Sequence, residues 1–378
     1  MDTFKIALTF DDVLLRPRYA GFLRSDINLG VQLTPRVKLQ APLISAPMDT
    51  VTESELAIAL AKVGGLGIVH RNLTIDDQAA EVKKVKAKGL LVGAAVGSSP
   101  GFEPRVEALM KAGVDVLVVD SAHGHSLKVI TTLAHIKDKY DVDVIAGNVA
   151  TEEGARALIN AGADALRVGM GPGAICTTRI VSGMGVPQLT GIMETAKVAQ
   201  RHNVPVIADG GLVHSGDVVK ALAAGASCVM FGRLFAACKE APGKVVMLKP
   251  QEVPARFRSI IDGKATEYCF KEYRGMGSVA AMQQGIKISS EDEFHGKNFQ
   301  SDVLIAEGVE GLVPCNSTVK SLTEQMLGGV TSGMYYVGAR NITELWETAE
   351  FMQITQASLS ESHPHDLLVT NPGESYAL

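Results

Sequence analysis

The sequence has few of the features that mark membrane, secreted or nucleic-acid-binding proteins. Within its 378 residues no apolar run approaches the ~18 residues that span a bilayer, and the N-terminus MDTFKIALTFDDVLL carries acids where a signal peptide has a basic start. Aromatic residues make up only 5%, and the net charge of -5 gives no general attraction to nucleic acid or to an anionic membrane. We therefore expect a cytoplasmic protein that binds neither.

Cysteine is also scarce. The five cysteines are odd in number and form no C-x-x-C pair, which argues against a disulfide framework or a zinc knuckle; they are Cys176, Cys228, Cys238, Cys269 and Cys315. Hydrophobic residues at 46%, charged residues at 20% and 38 glycines are instead typical of a globular enzyme with a large buried core. The length allows one α/β barrel of about 250 residues with additional segments.

Eight short apolar runs, rich in β-branched residues, recur along the chain. Their starts lie 21 to 28 residues apart, except for one interval of 41, and the segments between them have helical periodicity that ends at glycine. Because strands buried on both faces give continuous apolar runs, the pattern predicts a (β/α)8 TIM barrel. A doubly wound sheet more often has a G-x-G-x-x-G after its first strand, and this sequence has none. The predicted strands begin near Leu43, Gly67, Leu91, Val116, Val144, Ala165, Val206 and Cys228.

Two stretches are too long for a regular barrel repeat. The interval of 41 residues contains a loop from Gly169 to Gln188, after the sixth predicted strand. Residues 238 to about 318 form a flap insertion after the eighth strand, and the pair Asp262-Gly263 within it indicates a β-hairpin. Insertions on the C-terminal face of a barrel usually build the active site. We expect residues 1–378 to form a single catalytic barrel domain that includes this flap.

The loop VGMGPGAICTTRIVSGMGVPQ combines five glycines with a single cysteine, Cys176. Glycines permit positive φ and close approach of the backbone to a ligand. On the catalytic face of a barrel, Cys176 is interpreted as a nucleophilic thiolate beside the hydroxyls of Thr177 and Thr178. The alternative is a small buried hydrophobic residue, which free cysteine most often is. We assign that structural role to Cys228, which lies within the eighth predicted strand.

A phosphate site is predicted after the seventh and eighth strands, where barrels commonly bind phosphate. The loops there are Asp209-Gly210-Gly211 and Gly232-Arg233, whose backbone N–H groups and guanidinium suit a dianion. Asp209 would repel phosphate, so it is better suited to accept hydrogen bonds from ribose hydroxyls. A simple tight turn at Gly-Gly is the alternative.

Other polar residues give weaker signals. Asp120 ends the fourth predicted strand, so its carboxylate is expected to face the ligand pocket. The nearby pair His123 and His125 has no evident third ligand, and His363-Pro364-His365 is more often a solvated turn than a metal site. The residues alone therefore predict a barrel enzyme with a cysteine nucleophile and a phosphorylated ligand.

Several longer motifs extend this interpretation. GPGAICTTRIVSGMGVPQ resembles the active-site cysteine loop of the IMP dehydrogenase and GMP reductase family. So do LTFDDVLLRP, SAPMDTVTE, GGLGIVHRN, VVDSAHGHS, VIAGNV, ADGG and EYRGMGS. The matches run from residue 8 to the tail ESHPHD, nearly the whole chain.

The resemblance implies a barrel that binds a purine nucleotide, with Cys176 attacking C2 of the base. In the dehydrogenase branch hydride passes from the IMP adduct to NAD+, and water hydrolyses the remaining thioimidate to XMP. In the reductase branch GMP loses ammonia to give a similar thioimidate, and NADPH delivers hydride to form IMP. A thiolate suits both branches because a covalent intermediate splits one difficult exchange into two steps.

The resemblance also implies the residues of the site. Asp209 would hold the ribose, Tyr273 the phosphate, and Asp120 the nicotinamide ribose. The implied substrate-binding residues are Met48, Asn148, Asp209, Gly210, Gly211, Gly232, Arg233, Tyr273, Gly275, Met276 and Gly277, and the implied cofactor-binding residues are Asp120, Ser121, Gly169 and Gly171. The implied metal site, expected to hold K+, consists of carbonyls of Gly171, Gly173 and Cys176, with the tail around Glu361 from an adjacent subunit of a homotetramer.

The motifs favour the dehydrogenase branch but leave the reductase open. VVDSAHGHS, the cysteine loop, EYRGMGS and the ESHPHD tail resemble dehydrogenases, whereas Tyr335-Tyr336-Val337-Gly338-Ala339 is more similar to the YVGA of reductases. The dehydrogenase flap normally has Arg-Tyr before Phe-Gln, the Arg serving as the base that activates water, and here Lys297-Asn298 stands in its place. Thr178 and Glu307 resemble the second proton-handling pair of the family, found in both branches. A nucleotide-binding protein without turnover is a third hypothesis.

Two further departures concern phosphate and regulation. Ala174 stands where the family usually has a serine able to contact phosphate, and Arg233 is interpreted as restoring charge complementarity. The regulatory cystathionine-β-synthase-type modules of the family usually lie between strands two and three. Here KKVKAKG, residues 83–89, directly bridges the two strands, so these modules are predicted to be absent.

Overall fold

The computed structural model describes residues 5–255, 257, 261, 265–288, 305–367 and 369. Fifteen strands lie in this part of the chain, in the order β1 Val13–Leu15, β2 Val31–Gln32, β3 Lys38–Leu39, β4 Leu43–Ser45, β5 Leu66–Val69, β6 Gly93–Val96, β7 Val116–Asp120, β8 Asp143–Val149, β9 Ala165–Val168, β10 Val206–Asp209, β11 Cys228–Phe231, β12 Val245–Leu248, β13 Tyr268–Arg274, β14 Glu310–Pro314 and β15 Phe351–Gln353.

The α-helices alternate with the strands through most of the chain. They are α1 Ser54–Lys62, α2 Ile75–Lys86, α3 Glu103–Ala112, α4 Leu127–Lys139, α5 Glu152–Asn160, α6 Thr178–Val181, α7 Gln188–Ala199, α8 Ser215–Ala223, α9 Arg233–Ala236, α10 Val279–Lys287, α11 Val319–Val337, α12 Ile342–Thr348 and α13 Gln356–Glu361.

Strands β4 to β11 close into a parallel barrel. They follow one another around it in chain order, and β11 pairs back onto β4 through Val229↔Leu43. Each strand begins within two residues of the position that the sequence predicts. The predicted (β/α)8 TIM barrel is therefore confirmed.

Alternation along buried strands explains why the apolar runs are continuous. In β7, Val116 and Val118 point into the barrel interior, whereas Leu117 and Val119 pack against the surrounding helices. Both faces are buried, so both need apolar side chains. The N-terminal end of the interior is closed by side chains around β2 and β3, namely Leu33, Val37 and Leu39.

The repeat Ala-Gly between helix and strand has a conformational reason. Gly113, Gly162 and Gly225 have φ of 85°, 98° and 112°, the left-handed region that ends a helix and that side chains disfavour. At the other helix ends, Thr74 and Thr151 accept hydrogen bonds from backbone N–H groups of α2 and α5. At these helix ends, local sequence therefore determines where a barrel repeat begins or ends.

The insertion after β11 forms a second, smaller sheet. Strands β12, β13 and β14 are antiparallel, with β13 in the centre. Pairing of β12 with β13 agrees with the predicted hairpin, although its expected turn, Asp262-Gly263, lies outside the described residues. Lys271 of β13 is 4% exposed and anchors the sheet, because its Nζ donates to the carbonyls of Cys238, Lys239 and Ala241.

Three further features concern the rest of the chain. Residues 70–92, between β5 and β6, contain only helix α2 and its short connections. The C-terminal strand β15 pairs with β1, and α13 follows it. None of the helices in the described ranges is both long enough and apolar enough to cross a membrane.

Candidate active site

A cleft of about 630 Å³ lies at the C-terminal ends of the barrel strands. The ends of β4 and β7 to β9 and the residues that follow them contribute Met48, Asp120, Ser121, Asn148 and Gly169, and the cysteine loop contributes Gly171, Gly173, Cys176 and Thr178. The ends of β10 and β11 contribute Asp209, Gly210, Gly211, Gly232 and Arg233. The insertion contributes Tyr273, Gly275, Met276, Gly277 and Glu307. The structure thus brings every predicted substrate, cofactor and catalytic residue to one cleft.

Cys176 begins a short chain of hydrogen bonds. Its thiol donates to Thr178 Oγ1 at 3.3 Å, and the Thr178 hydroxyl donates to Glu307 Oε2 at 2.8 Å. Backbone bonds fix the two segments together, since Thr177 N–H donates to the carbonyl of Glu307 and Val309 N–H donates to that of Ile175. The arrangement can move a proton between Cys176 and the Glu307 carboxylate through one hydroxyl.

The cysteine loop closes around the side chain of Arg179. The guanidinium donates to the carbonyls of Met170 and Val186 at 3.2 and 2.6 Å, which joins the two ends of the loop. A Cβ on Gly171 or Gly185 would lie 2.6 Å from Arg179 Cγ. These two glycines are therefore required for Arg179 to fit beneath the loop.

Two carboxylates of the cleft share one buried arginine. Arg167 of β9 donates through Nε to Asp209 Oδ2 at 2.9 Å and through Nη1 to Asp120 Oδ1. Burial disfavours the charged guanidinium, but Asp209 and Asp120 outweigh it and hold the pKa of Arg167 above its usual value. Asn148 Nδ2 also donates to Asp209 Oδ2 at 2.9 Å, which leaves Oδ1 of Asp209 available to a ligand hydroxyl.

The predicted phosphate corner has backbone and side-chain donors together. Gly210 and Gly211 have φ of 86° and 77°, so both need the freedom of glycine. A Cβ on Gly232 would lie 2.6 Å from Tyr273 Oη. Burial and the charge of Asp209 raise the pKa of Tyr273, while Arg233 opposes them, so the phenol stays protonated as a hydrogen-bond donor.

A second ion pair, which the sequence did not predict, holds the loop of Met276. Arg274 Nη2 donates to Asp49 Oδ2 at 2.6 Å, and this hydrogen bond is the main reason that the pKa of Arg274 lies above its usual value. Asn72 Nδ2 donates to the same carboxylate oxygen at 2.7 Å. The Asp49 N–H in turn approaches Met276 Sδ at 3.4 Å. Asp49 thus ties the loop after β4 to the loop after β13.

Three other predictions have different outcomes. Glu361 lies exposed in α13, apart from the cleft, and its predicted role depends on an adjacent subunit. Lys297 and Asn298 lie outside the described residues. The rings of His123 and His125 are 6.4 Å apart, and among the residues that the structure describes no group of three or more His, Cys, Asp or Glu side chains could hold a metal ion.

The role of Arg167, like that of the Asp49–Arg274 pair, was not predicted from the sequence, although the sequence contains a signal for it. It is the single charged residue in the strand Ala165–Val168. A charge within a buried strand needs a partner, and the barrel places that partner at the ends of β7 and β10.

Fold and site together define a class: a (β/α)8-barrel protein with a glycine-rich cysteine loop and paired carboxylates on its C-terminal face. Comparison with known families specifies it further. Residues 7–365 match the model of the IMP dehydrogenase / GMP reductase domain, and the chain belongs to this family.

Curated relatives agree over nearly the full length. Proteins named inosine-5'-monophosphate dehydrogenase are similar in Borreliella burgdorferi, at 42% identity over 96% of this chain and 98% of the relative, and in Cryptosporidium parvum, at 40% identity over 98% of each. The relative in Rhodopirellula baltica is 39% identical over 98% of this chain and 88% of its own length.

Proposed function

We propose that the chain is an IMP dehydrogenase, an oxidoreductase of guanine nucleotide biosynthesis that converts IMP to XMP with NAD+. The observation that carries the covalent chemistry is the hydrogen-bonded series Cys176, Thr178 and Glu307 at the cleft, which both branches of the family share, and the names of the curated relatives favour the dehydrogenase branch. The relatives' names and the family support the substrate and NAD.

The chain's own residues account for the covalent step. The Cys176 thiolate forms a bond to C2 of the hypoxanthine, and its proton leaves through the Thr178 hydroxyl toward Glu307. NAD+, when bound, accepts the hydride from C2. The product still attached to Cys176 is a thioimidate, which water must attack to release XMP and the thiol.

Activation of this water is assigned to Glu307. Once the proton from Cys176 has passed to solvent, the carboxylate takes the proton of the attacking water through Thr178, which is held at 2.8 Å, and returns it to the sulfur of Cys176 as XMP leaves. This assignment makes the unusual Lys297-Asn298 compatible with turnover, because hydrolysis then does not require an arginine at that position. Overall, IMP, NAD+ and water give XMP, NADH and a proton.

The chemistry of the donors supports both nucleotides. Asp209, Tyr273 and Arg233 offer the ribose and phosphate groups of a mononucleotide their usual partners, while Asp120 and Ser121 lie on the other side of Arg167 for the nicotinamide ribose. A cleft of about 630 Å³ is within the range of small-molecule sites.

GMP reductase is the second candidate, favoured by the YVGA segment. In the structure this segment ends α11, where Tyr335 packs edge-on to Phe22 with ring centroids 5.9 Å apart. A Cβ on Gly338 would lie 2.5 Å from the carbonyl of Tyr19. These contacts pack the end of α11 against the N-terminal segment and involve no residue of the cleft, so the segment is weak support for the reductase.

We extend the proposal to assembly and regulation. Ile180, Val181 and Met184 beside the cysteine loop are 88%, 47% and 59% exposed, which suits burial against another subunit of a homotetramer. The carbonyls of Gly171, Gly173 and Cys176 are proposed to bind K+ there with Glu361 of that subunit, since oxygen ligands suit hard cations. The short β5–β6 connection supports absence of the regulatory modules.

The decisive assay incubates the purified chain with IMP plus NAD+, or with GMP plus NADPH, and follows the absorbance of reduced nicotinamide. We expect absorbance to rise with the first pair, in Cys269→Ala as in the unchanged chain, and to stay flat in Cys176→Ala. Loss of NADPH with GMP alone would establish the reductase, and activity with neither pair would favour a binding protein.

A further inference from the structure

Two cysteines that the proposed reaction does not use lie opposite each other in the sheet of the insertion. Cys269 is in β13 and Cys315 directly follows β14, and the register of these strands, which includes Phe270↔Pro314, places the two residues as the next pair. The Cys315 N–H donates to the carbonyl of Cys269 at 2.9 Å. Opposed residues of antiparallel strands point to the same face, so the two thiols are neighbours.

The distance between the strands suits a covalent bond. Hydrogen-bonded pairs in antiparallel sheets have Cα atoms about 5.5 Å apart. Disulfides most often join Cα atoms about 5.5–6 Å apart, so the strands need not separate or shift for sulfur atoms to bond. Both cysteines are half-buried, whereas Cys228 and Cys238 are buried. A small oxidant therefore reaches Cys269 and Cys315 in preference to Cys228 and Cys238.

Nearby charges affect the reactivity of the pair. Burial, and then the hydrogen bond with Cys269, hold the pKa of Cys315 above its usual value, while Lys271 and Lys239 act in the opposite direction. The raised pKa disfavours the Cys315 thiolate, so we assign Cys315 to the second step of an oxidation rather than to the first attack on the oxidant. The two ammonium groups keep the surroundings cationic, which is typical of oxidisable cysteines.

We propose that Cys269 and Cys315 are an oxidisable dithiol that closes to a disulfide when the protein meets a hydroperoxide. The sulfur of Cys269, as thiolate, attacks a peroxide oxygen; the O–O bond breaks, and a sulfenic acid and the peroxide's hydroxide or alkoxide result. The sulfur of Cys315 then attacks the sulfenic sulfur, forming S–S as S–O breaks and water leaves. The two thiols lose two electrons, which the peroxide gains.

The position of the pair gives the bond a structural consequence. β13 leads from Cys269 to Tyr273 of the phosphate corner, and β14 leads from the Glu307 segment to Cys315. The disulfide ties together, at the end away from the cleft, the two strands that carry these site residues. It is independent of the proposed reaction, because neither cysteine lines the cleft.

The test uses the full chain carrying Cys176→Ser, so that the site cysteine consumes no oxidant and four of the five cysteines remain. After hydrogen peroxide, alkylation and digestion, we expect two free thiols to be lost and one cross-linked peptide pair, Cys269 with Cys315, to appear and to revert with dithiothreitol. Cys269→Ser should abolish the cross-link, whereas the control Cys228→Ser should retain it.

Two outcomes would overturn the proposal: sulfinic acid at Cys269 or Cys315 without a cross-link, or a cross-link that joins either of them to Cys238 instead. The same digestion of the chain with Cys176 intact guards against an effect of that substitution on folding. There the Cys269 and Cys315 peptides must again be joined.

Discussion

The buried arginine between the two carboxylates allows a quantitative prediction. Arg167→Met removes the guanidinium that neutralises Asp209 and Asp120 but keeps most of the apolar stem. The side chain of Arg167 is 10% exposed, and each carboxylate is 16% exposed, so water cannot fully replace the lost partner. Removing one partner of a buried ion pair costs about 3–5 kcal/mol. Here the charge left uncompensated is that of Asp209, because Asp120 keeps Arg71 Nε at 3.5 Å. We expect a loss of this size in the free energy of unfolding at neutral pH.

The pH dependence gives the prediction a second readout. Without Arg167 the two negative charges repel each other, and the pKa of at least one carboxylate rises. A carboxylate whose pKa is raised in the folded state takes up a proton as pH falls, and this relieves the repulsion. The difference in stability between Arg167→Met and the unchanged chain should therefore shrink as the pH falls toward about 4, the usual pKa of Asp.

Denaturant unfolding at several pH values measures both effects. Arg156→Met in α5 is the matched control, because this arginine is exposed and its loss should change stability by no more than about 0.5 kcal/mol. If Arg167→Met is as stable as Arg156→Met at neutral pH, the guanidinium does not compensate the carboxylates and our account of the cleft is wrong.

Three further predictions concern single residues. Glu307→Gln should give a rapid first formation of NADH and then a slow steady state, because hydrolysis depends on the carboxylate, whereas the single proton of Cys176 can also leave to solvent before the attack on C2; an unchanged steady-state rate would assign water activation to another group. Tyr273→Phe should raise KM for IMP about tenfold or more through loss of a charge-assisted hydrogen bond, and an equal KM in steady-state kinetics would exclude a phosphate contact. Lys271→Met should lower the free energy of unfolding by about 3 kcal/mol, since three carbonyls lose a buried donor, whereas stability within 0.5 kcal/mol in denaturant would show that solvent replaces it.

The barrel could be predicted from the sequence because its signals are local. Each strand is a short apolar run, and glycines such as Gly113 and Gly162 mark the ends of helices wherever they occur. The cysteine loop was also predictable, because the glycines around Cys176 are adjacent in the chain and the barrel fixes the face on which the loop lies.

The ion pairs could not be predicted, because they depend on distant segments meeting. Arg167 meets Asp120 and Asp209 only because β7, β9 and β10 converge at one end of the barrel. Asp49 and Arg274 are separated by 225 residues. Hydrophobic periodicity contains no information on which polar side chains share a buried partner, so only the three-dimensional arrangement shows these pairs.

The central claim is that Cys176 forms a covalent intermediate with IMP, and trapping that intermediate tests it most directly. The full chain, mixed with IMP and NAD+, is quenched with acid during turnover and digested for mass spectrometry. We predict that the peptide containing Cys176 carries the purine nucleotide, that omission of IMP removes the adduct, and that Glu307→Gln increases it. An unmodified Cys176 peptide while XMP accumulates would contradict the account.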